Sequence, residues 1–351
     1  MLADVDGNLL QADADALVNT VNTVGVMGKG IALQFRKAYP EMFKAYEKAC
    51  KDDAVSLGRM HVWETGMLDG PRFIINFPTK GHWRAQSHLD DIKTGLTDLV
   101  RVIRDRGITS IAVPPLGCGN GGLDWADVRP LIVDAFADLA EVEVRLYPPA
   151  DAPAATEMRN ATKAPNMTVG RAALVTLLDG YSRVALDASL IEVQKLMYFL
   201  QLEGQPLKLN YVKNLYGPYA DNLRHVLSHI DGHFISGYGD GNTPVREAEP
   251  IHVLPGAVQQ AQAVLAEHPD TLARIDRVYD IIDGFESMYS LELLATVHWV
   301  MTHDDAAAKD PAAAFDQVRT WNNRKARMFT SDHVTTAWTA LRDREVVSVT
   351  D

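Results

Sequence analysis

The sequence predicts an α/β fold: a three-layer α/β/α domain on a mixed or mostly parallel sheet, followed by a mainly α-helical second domain. Three observations carry that reading. Strand and helix signals alternate through the first part of the chain, as they do when helices cover both faces of a sheet. Helical apolar patterns dominate the later part. Between them lies PPADAPAATEMRNATKAPN, with Pro148, Pro149, Pro153 and Pro165 and little apolar content. Proline fixes φ and removes a backbone donor, so this stretch reads as a linker. The expected organisation is a domain over 1–148, a linker over 149–166 and a second domain over 167–351.

The elements follow in order. Ala16, Leu17 and Val18 form a short buried strand. Residues 30–39 read as a helix stopped before Pro40, which suits the first turn of the next helix, EMFKAYEKACKDD. Residues 60–64 and 72–77 read as strands. Ser87 and Asp90 resemble a capping box. Beyond them Leu89, Ile92, Leu96, Leu99, Val100 and Ile103 trace a helical stripe ending at Gly107. A strand over 110–114, a helix over 124–139 and a closing strand over 142–147 complete the first domain. In the second, Ser189 and Glu192 make a capping box before LIEVQKLMYFLQLEG. Helices are expected over 218–230, 257–267, 271–282, 291–302, 311–321 and 331–343, with one short β element over 234–238.

Composition bounds the function. The chain has 351 residues, 47% apolar and 23% charged, as in ordinary globular proteins. Its formal charge is −12, which argues against a broad nucleic-acid-coating surface but not against one local basic site. The acidity is uneven: residues 1–150 hold 16 basic and 20 acidic residues, and the remainder 18 and 26, so the second part carries −8. Two cysteines, Cys50 and Cys118, exclude a disulfide framework and a Cys-based zinc site. No apolar run suggests a membrane span and the N-terminus lacks a signal-peptide plan, so a cytoplasmic protein is expected. His225, His229 and His233 recur every four residues, but no Cys or carboxylate cluster completes a site, and no metal is expected.

Two glycine-rich loops carry the chemistry. NTVNTVGVMGKGI, from Asn19 to Ile31, joins a strand to a helix, and so does LGCGNGGL, from Leu116 to Leu123. Glycines let backbone N–H groups approach an anion, and a helix N-terminus adds a favourable dipole. Two such loops can clasp a diphosphate. The first lacks the Gly-Lys-Ser/Thr ending of a nucleotide-hydrolysing P-loop. It also lacks the Gly spacing and the downstream acidic residue of a dinucleotide-binding fingerprint, which leaves a nicotinamide enzyme as a poor alternative.

A strand, then VNTVNTVGVMGKGIALQFRKAYP, then FPTKGHWR, then VPPLGCGNGGLDW: in this order the motifs resemble the macrodomains, the ADP-ribose-binding fold. More narrowly, they resemble the DarG antitoxins, which remove ADP-ribose from thymidine bases of single-stranded DNA and so reverse the DarT toxin. The resemblance covers about residues 1–148. It implies that Lys80, with Thr79 before it, supplies the catalytic amine. It implies that Asn19, Asn22 and Thr23 shape the first loop at the distal ribose, whose C1″ reacts. Gly25, Val26, Met27, Gly28, Gly30 and Ile31 would pack on the diphosphate and that ribose. Gly117, Cys118, Gly119, Asn120, Gly121, Gly122 and Leu123 would hold the diphosphate from the other side. Asn8 stands where many macrodomains carry an adenine-binding Asp, and Tyr147 where an aromatic stacks near the adenosine. Free ADP-ribose is the implied product, and no cofactor is implied.

A neutral Lys80 can attack C1″ after ring opening; a protonated one can stabilise negative charge on the departing thymine. Trp83 can stack on a base or anchor its loop on the core, and Lys80, Arg84 and Arg72 can meet phosphates. A human relative carries an acidic partner at the position of Gly121 or its neighbour, within Asn120-Gly121-Gly122, so this chain departs from that pattern and the general acid/base is unassigned. Asp124 fits an N-cap, and Cys118 a small-volume position. In the second domain, Gln194-Lys195-Leu196-Met197-Tyr198 followed by Tyr216-Gly217-Pro218-Tyr219 resembles the Panacea antitoxin domain, which binds toxins directly. The resemblance implies DarT as partner, with the acidic surface imitating DNA in its basic groove. The rival readings are a non-catalytic ADP-ribose reader with a protein-binding tail, and a hydrolase of protein-linked ADP-ribose.

Overall fold

The computed structural model describes residues 1–67, 69–151, 153–154, 157–185, 188–239 and 248–346. By internal contacts the chain separates into two units, the first running from Met1 to Lys163 and the second beginning at Ala164.

In the first unit, strands β1 (Leu2–Asp4), β2 (Ala16–Asn22), β3 (His61–Glu64), β4 (Phe73–Lys80), β5 (Ser110–Val113) and β6 (Glu143–Leu146) form one sheet in the order β1-β6-β5-β2-β4-β3. All neighbours are parallel except β3 and β4, so the sheet is mixed as expected. The strand β2 runs to Asn22 rather than stopping at Val18, because its pairing with β4 continues through Asn22, which lies opposite Lys80. Successive side chains alternate between two cores. Ala16, Val18, Ile75 and Phe77 face α3 (Leu89–Arg106) and α4 (Trp125–Phe136). Leu17, Val21 and Ile74 face α1 (Gly30–Ala38) and α2 (Pro40–Lys51). That is the three-layer architecture. Gly95 brings α3 onto the sheet: a Cβ there would overlap the Phe77 ring.

Two expectations need correcting. Ser87 does not cap α3; His88 is the N-cap and makes no side-chain cap bond, while Ser87 is buried. The stretch 218–230 is not one helix. Gly217–Ala220 is strand β8, paired with β7 (Tyr211–Asn214), and helix begins only at Asp221. Gln194 makes the difference, because its side-chain amide bonds both the N–H and the C=O of Ala220 at 3.0 Å. The rest of the second unit is mainly helical among the described residues. Its capping box is present, with Ser189 and Glu192 each bonding the other's backbone N–H. Helices also form over Ala257–Leu265, Pro269–Ile282, Met288–His303, Pro311–Trp321 and Ser331–Asp343, and a two-residue strand over Ile235–Ser236.

Candidate active site

The adjacent strands β5, β2 and β4 all end at the same edge, the C-terminal edge of the parallel sheet, where α/β folds place their ligands. The first loop leaves β2 at Asn22, whose side chain builds it. Asn22 Nδ2 donates to the Val26 carbonyl at 2.6 Å, and Oδ1 accepts from the amides of Val24 (3.0 Å) and Val26 (3.3 Å). The buried Tyr46 hydroxyl, from α2, donates to the Asn22 carbonyl at 2.6 Å. Thr23 donates to the Gly81 carbonyl at 2.8 Å, tying the loop to the residue after Lys80. Val24, Val26 and Gly28 are left exposed on its surface, while Gly25 and Met27 are buried and Ile31 is half-buried. The loop ends at α1, whose N-cap Lys29 makes no side-chain cap bond, so the first helical amides stay available to an anion.

Beneath this loop lies a polar chain that sequence reasoning missed. Asn19 is fully buried, and its Nδ2 donates to Asn76 Oδ1 at 2.9 Å. With that oxygen occupied as acceptor, the Asn76 amide nitrogen faces His61 Nδ1 at 3.1 Å as donor. His61 therefore carries its proton on Nε2, and burial pushes its pKa below the usual histidine value. Asn19 thus shapes the loop from below, with no surface of its own.

The second loop presents its carbonyls to the protein. Gly117 O accepts from Leu123 N (3.1 Å), Gly119 O from Gly122 N (3.0 Å), Asn120 O from Lys80 Nζ (2.7 Å) and Gly121 O from Ser87 N (2.9 Å). Of the loop amides, those of Cys118, Gly122 and Leu123 are spent on the carbonyls of Pro115, Gly119 and Gly117. Gly121 is buried at the centre, where a Cβ would overlap the Gly117 carbonyl oxygen and Ser87 Oγ. No side chain fits at Gly121 without moving the loop. Asp124 caps α4 by accepting from Ala126 N at 2.8 Å, so this junction keeps its helix N-terminus for itself. The Cys118 thiol is pushed up to about 11 by burial and by the charge of Asp124, which suits a packing role and not a thiolate nucleophile.

Lys80 closes the end of β4 and reaches across to the second loop. Burial alone lowers its pKa, and its acceptor is a neutral carbonyl. Next to it, Trp83 is 45% exposed and belongs to neither core, so it does not anchor its loop. Arg84 lies 4.3 Å from its ring centroid, and the His82 ring sits at 5.3 Å. Thr79 is buried and donates to the Val21 carbonyl at 3.3 Å. Asn8 caps a short 3-10 turn, Leu9–Gln11, through the amide of Leu10, which uses one lone pair of the oxygen expected to meet adenine. Tyr147 is 7% exposed and packs in the core over α1 and α2.

The Macro domain family model matches residues 18–132. A Mycobacterium tuberculosis protein described as a DNA ADP-ribosyl glycohydrolase is 46% identical over 346 residues, which cover 95% of this chain and 97% of the relative. The chain belongs to the DNA ADP-ribosyl glycohydrolase family. Among solved structures, the macrodomain of Mycobacterium tuberculosis DarG is 63% identical, with a TM-score of 0.43, covering 43% of this chain and 99% of that one. Within the family there is also a Thermosipho africanus protein described as a DNA ADP-ribosyl transferase–DNA ADP-ribosyl glycohydrolase fusion. It is 34% identical over 163 residues, 42% of each chain.

Proposed function

We propose that the chain is a DNA ADP-ribosyl glycohydrolase that removes ADP-ribose from thymidine in single-stranded DNA, with Lys80 as its catalytic residue. The observation that carries this is the meeting of Lys80 with the second glycine loop, at the sheet edge where the first loop also begins. The amide edges of the two loops and the uncapped start of α1 would hold the diphosphate. Asn22, Thr23, Gly25, Val26, Gly28, Gly30 and Ile31 would face it from one side, and 117–123 from the other. C1″ would then lie by Lys80. Hydrolysis breaks the bond from C1″ to the thymine; the base leaves with a proton and water supplies the hydroxyl. Trp83, exposed beside Lys80, offers a face for a base, worth about 1–3 kcal/mol per stacked base. Burial without a carboxylate partner lowers the Lys80 pKa from the ordinary lysine value, the direction that the nucleophilic role requires.

The test is release of ADP-ribose from an ADP-ribosylated thymidine oligonucleotide. Release by the wild type that disappears in Lys80→Ala supports the reading. Retained binding with no release makes the protein a reader, and release from modified protein alone assigns the other substrate.

The second unit, in this reading, binds the DarT transferase and neutralises it in the cytoplasm, with 1–148 as hydrolase, 149–166 as linker and 167–351 as toxin-binding domain. Two observations support it: the concentration of negative charge after residue 150, and a relative in which transferase and glycohydrolase share one chain. Among the described residues no helix is long and apolar enough to cross a membrane. An acidic surface can occupy a groove built for DNA. Unchanged toxin affinity and salt dependence after alanine or lysine replacement of the acidic residues refutes the mimicry.

A further inference from the structure

Two successive carbonyls of the first loop are each held by a side chain. Asn22 Nδ2 donates to the Val26 carbonyl at 2.6 Å, and Arg36 Nη1 donates to the Met27 carbonyl at 3.5 Å. Arg36 lies in the last turn of α1, where Cα–Cβ bonds tilt toward the helix N-terminus, so its long side chain runs back along the helix to the loop before it. A trans peptide points its N–H opposite to its C=O. With the Val26 and Met27 carbonyls held on one side, the amides of Met27 and Gly28 face the other. Among the described residues neither amide donates to a protein acceptor. Two neighbouring free amides form a concave donor pair that suits an anion.

The charge of Arg36 is not spent elsewhere. Its side chain is half-buried, with the guanidinium 4.6 Å from the Phe43 ring centroid, and among the described residues it makes no ion pair. The carboxylate whose charge acts on it, Glu47, is itself bonded to Lys51 at 2.8 Å. Burial lowers the Arg36 pKa, so the guanidinium is short of compensating negative charge. A peptide with a cation at its carbonyl has its dipole aligned to receive an anion at its N–H.

We propose that Arg36 is a positioning residue for the diphosphate of ADP-ribose: from behind the Met27–Gly28 peptide it fixes the carbonyl, so that the Gly28 amide, beside that of Met27, meets the anion. The guanidinium touches the peptide and the peptide touches the ligand. This rests on the function proposed above, which places a diphosphate at the first loop.

The deciding variant is Arg36→Met in the full chain, which keeps apolar contact with Phe43 and loses the charge and the donor. ADP-ribose Kd by calorimetry should rise about tenfold, the worth of one hydrogen bond to a charged group. On ADP-ribosylated thymidine DNA, KM should rise by a similar factor with kcat within about twofold, because the diphosphate is bound alike in the ground and transition states. Arg36→Lys keeps a charged donor and should bring Kd and KM back to within about threefold of the wild type, a rescue that a packing role would not show. Unchanged Kd and KM in Arg36→Met overturn the proposal, as does a loss confined to kcat. So does an Arg36→Lys protein that melts like the wild type yet binds as weakly as Arg36→Met. If Arg36→Met does not fold, Arg36→Gln takes its place with the same expected rise, and an unchanged Kd there overturns the proposal equally. A wild type that binds ADP-ribose with this dependence on Arg36 but releases none defeats the glycohydrolase reading and leaves Arg36 its role, so the two failures are distinct.

Discussion

Replacing Asn22 with alanine tests whether the first loop is built for binding. The substitution deletes three hydrogen bonds that hold the loop: the one from Nδ2 to Val26 O at 2.6 Å and those to Oδ1 from Val24 and Val26. At roughly 1 kcal/mol net for each, about 3 kcal/mol of local stabilisation disappears. Little of that is global, because the Tyr46 hydroxyl still holds the Asn22 carbonyl and Val21 still packs in the core. The loss falls on the fraction of molecules with a binding-competent loop. Each 1.4 kcal/mol is tenfold, so ADP-ribose Kd should rise by up to about 100-fold, with only a small change in melting temperature. Calorimetric titration with ADP-ribose beside a thermal melt reads both quantities. Asn22→Asp should bind still more weakly, since it loses the donor to Val26 O and adds charge beside the diphosphate. An Asn22→Ala protein that binds ADP-ribose within threefold of the wild type would show that the loop does not hold the ligand.

The remaining predictions concern charge. If Lys80 acts as the neutral amine, the rate of ADP-ribose release rises with pH to a midpoint below the ordinary lysine value of 10.5, and borohydride traps an adduct that Lys80→Arg abolishes; a flat profile without trapping assigns it to charge stabilisation. The lowered pKa of His61 means that the unfolded chain takes up its proton first, so stability is full above pH 6.5 and falls as the pH drops through the folded value. His61→Gln should flatten that acid limb in urea titrations, and an unaltered limb would rule out the polar chain as its origin. In the second unit, Glu292 binds Arg324 at 2.5 and 3.0 Å and the fully buried Lys325 at 2.5 Å. Glu292→Gln leaves two cations unpaired and should cost about 3–5 kcal/mol of unfolding free energy. Lys195 is pushed down to about 7 by burial and by Lys325, and Lys325 to about 8 chiefly by burial, so stability should climb from pH 7 toward 10, and Lys195→Met should reduce that slope.

What the sequence made legible was local. Both glycine loops, Lys80 at a strand end and the Asp124 cap all lie within short motifs, where residue types and spacing suffice. The parts that were not legible depend on contacts across the chain. Asn76 reaches Asn19 over 57 positions and Tyr46 reaches Asn22 over 24, and nothing near either residue marks it. Ser87 looked like a cap because its spacing to Asp90 fits one; burial against Gly121 put it to another use. The Gly-Pro-Tyr turn read as a helix start because proline suits a first turn. Gly217, at φ 93°, and the double bond from Gln194 to Ala220 hold it as a strand instead. Propensity yields there to tertiary hydrogen bonding.

The same distinction resolves how an acidic chain can approach DNA. In the first unit several cations are spent on neighbouring carboxylates: Lys44 on Glu41, Lys51 on Glu47, Arg101 on Asp98 and Asp105, Arg129 on Asp4, and Arg145 on Glu143. Among the described residues no ion pair holds Lys80 or Arg84; one faces a main-chain carbonyl and the other an indole ring. A cation beside a neutral partner keeps its field, whereas a paired one cancels it at short range. The net charge therefore says little about the reacting edge. There, Arg84 outside any ion pair and an exposed tryptophan stand beside Lys80 as a local basic and aromatic surface, which suits the base stacking proposed for Trp83.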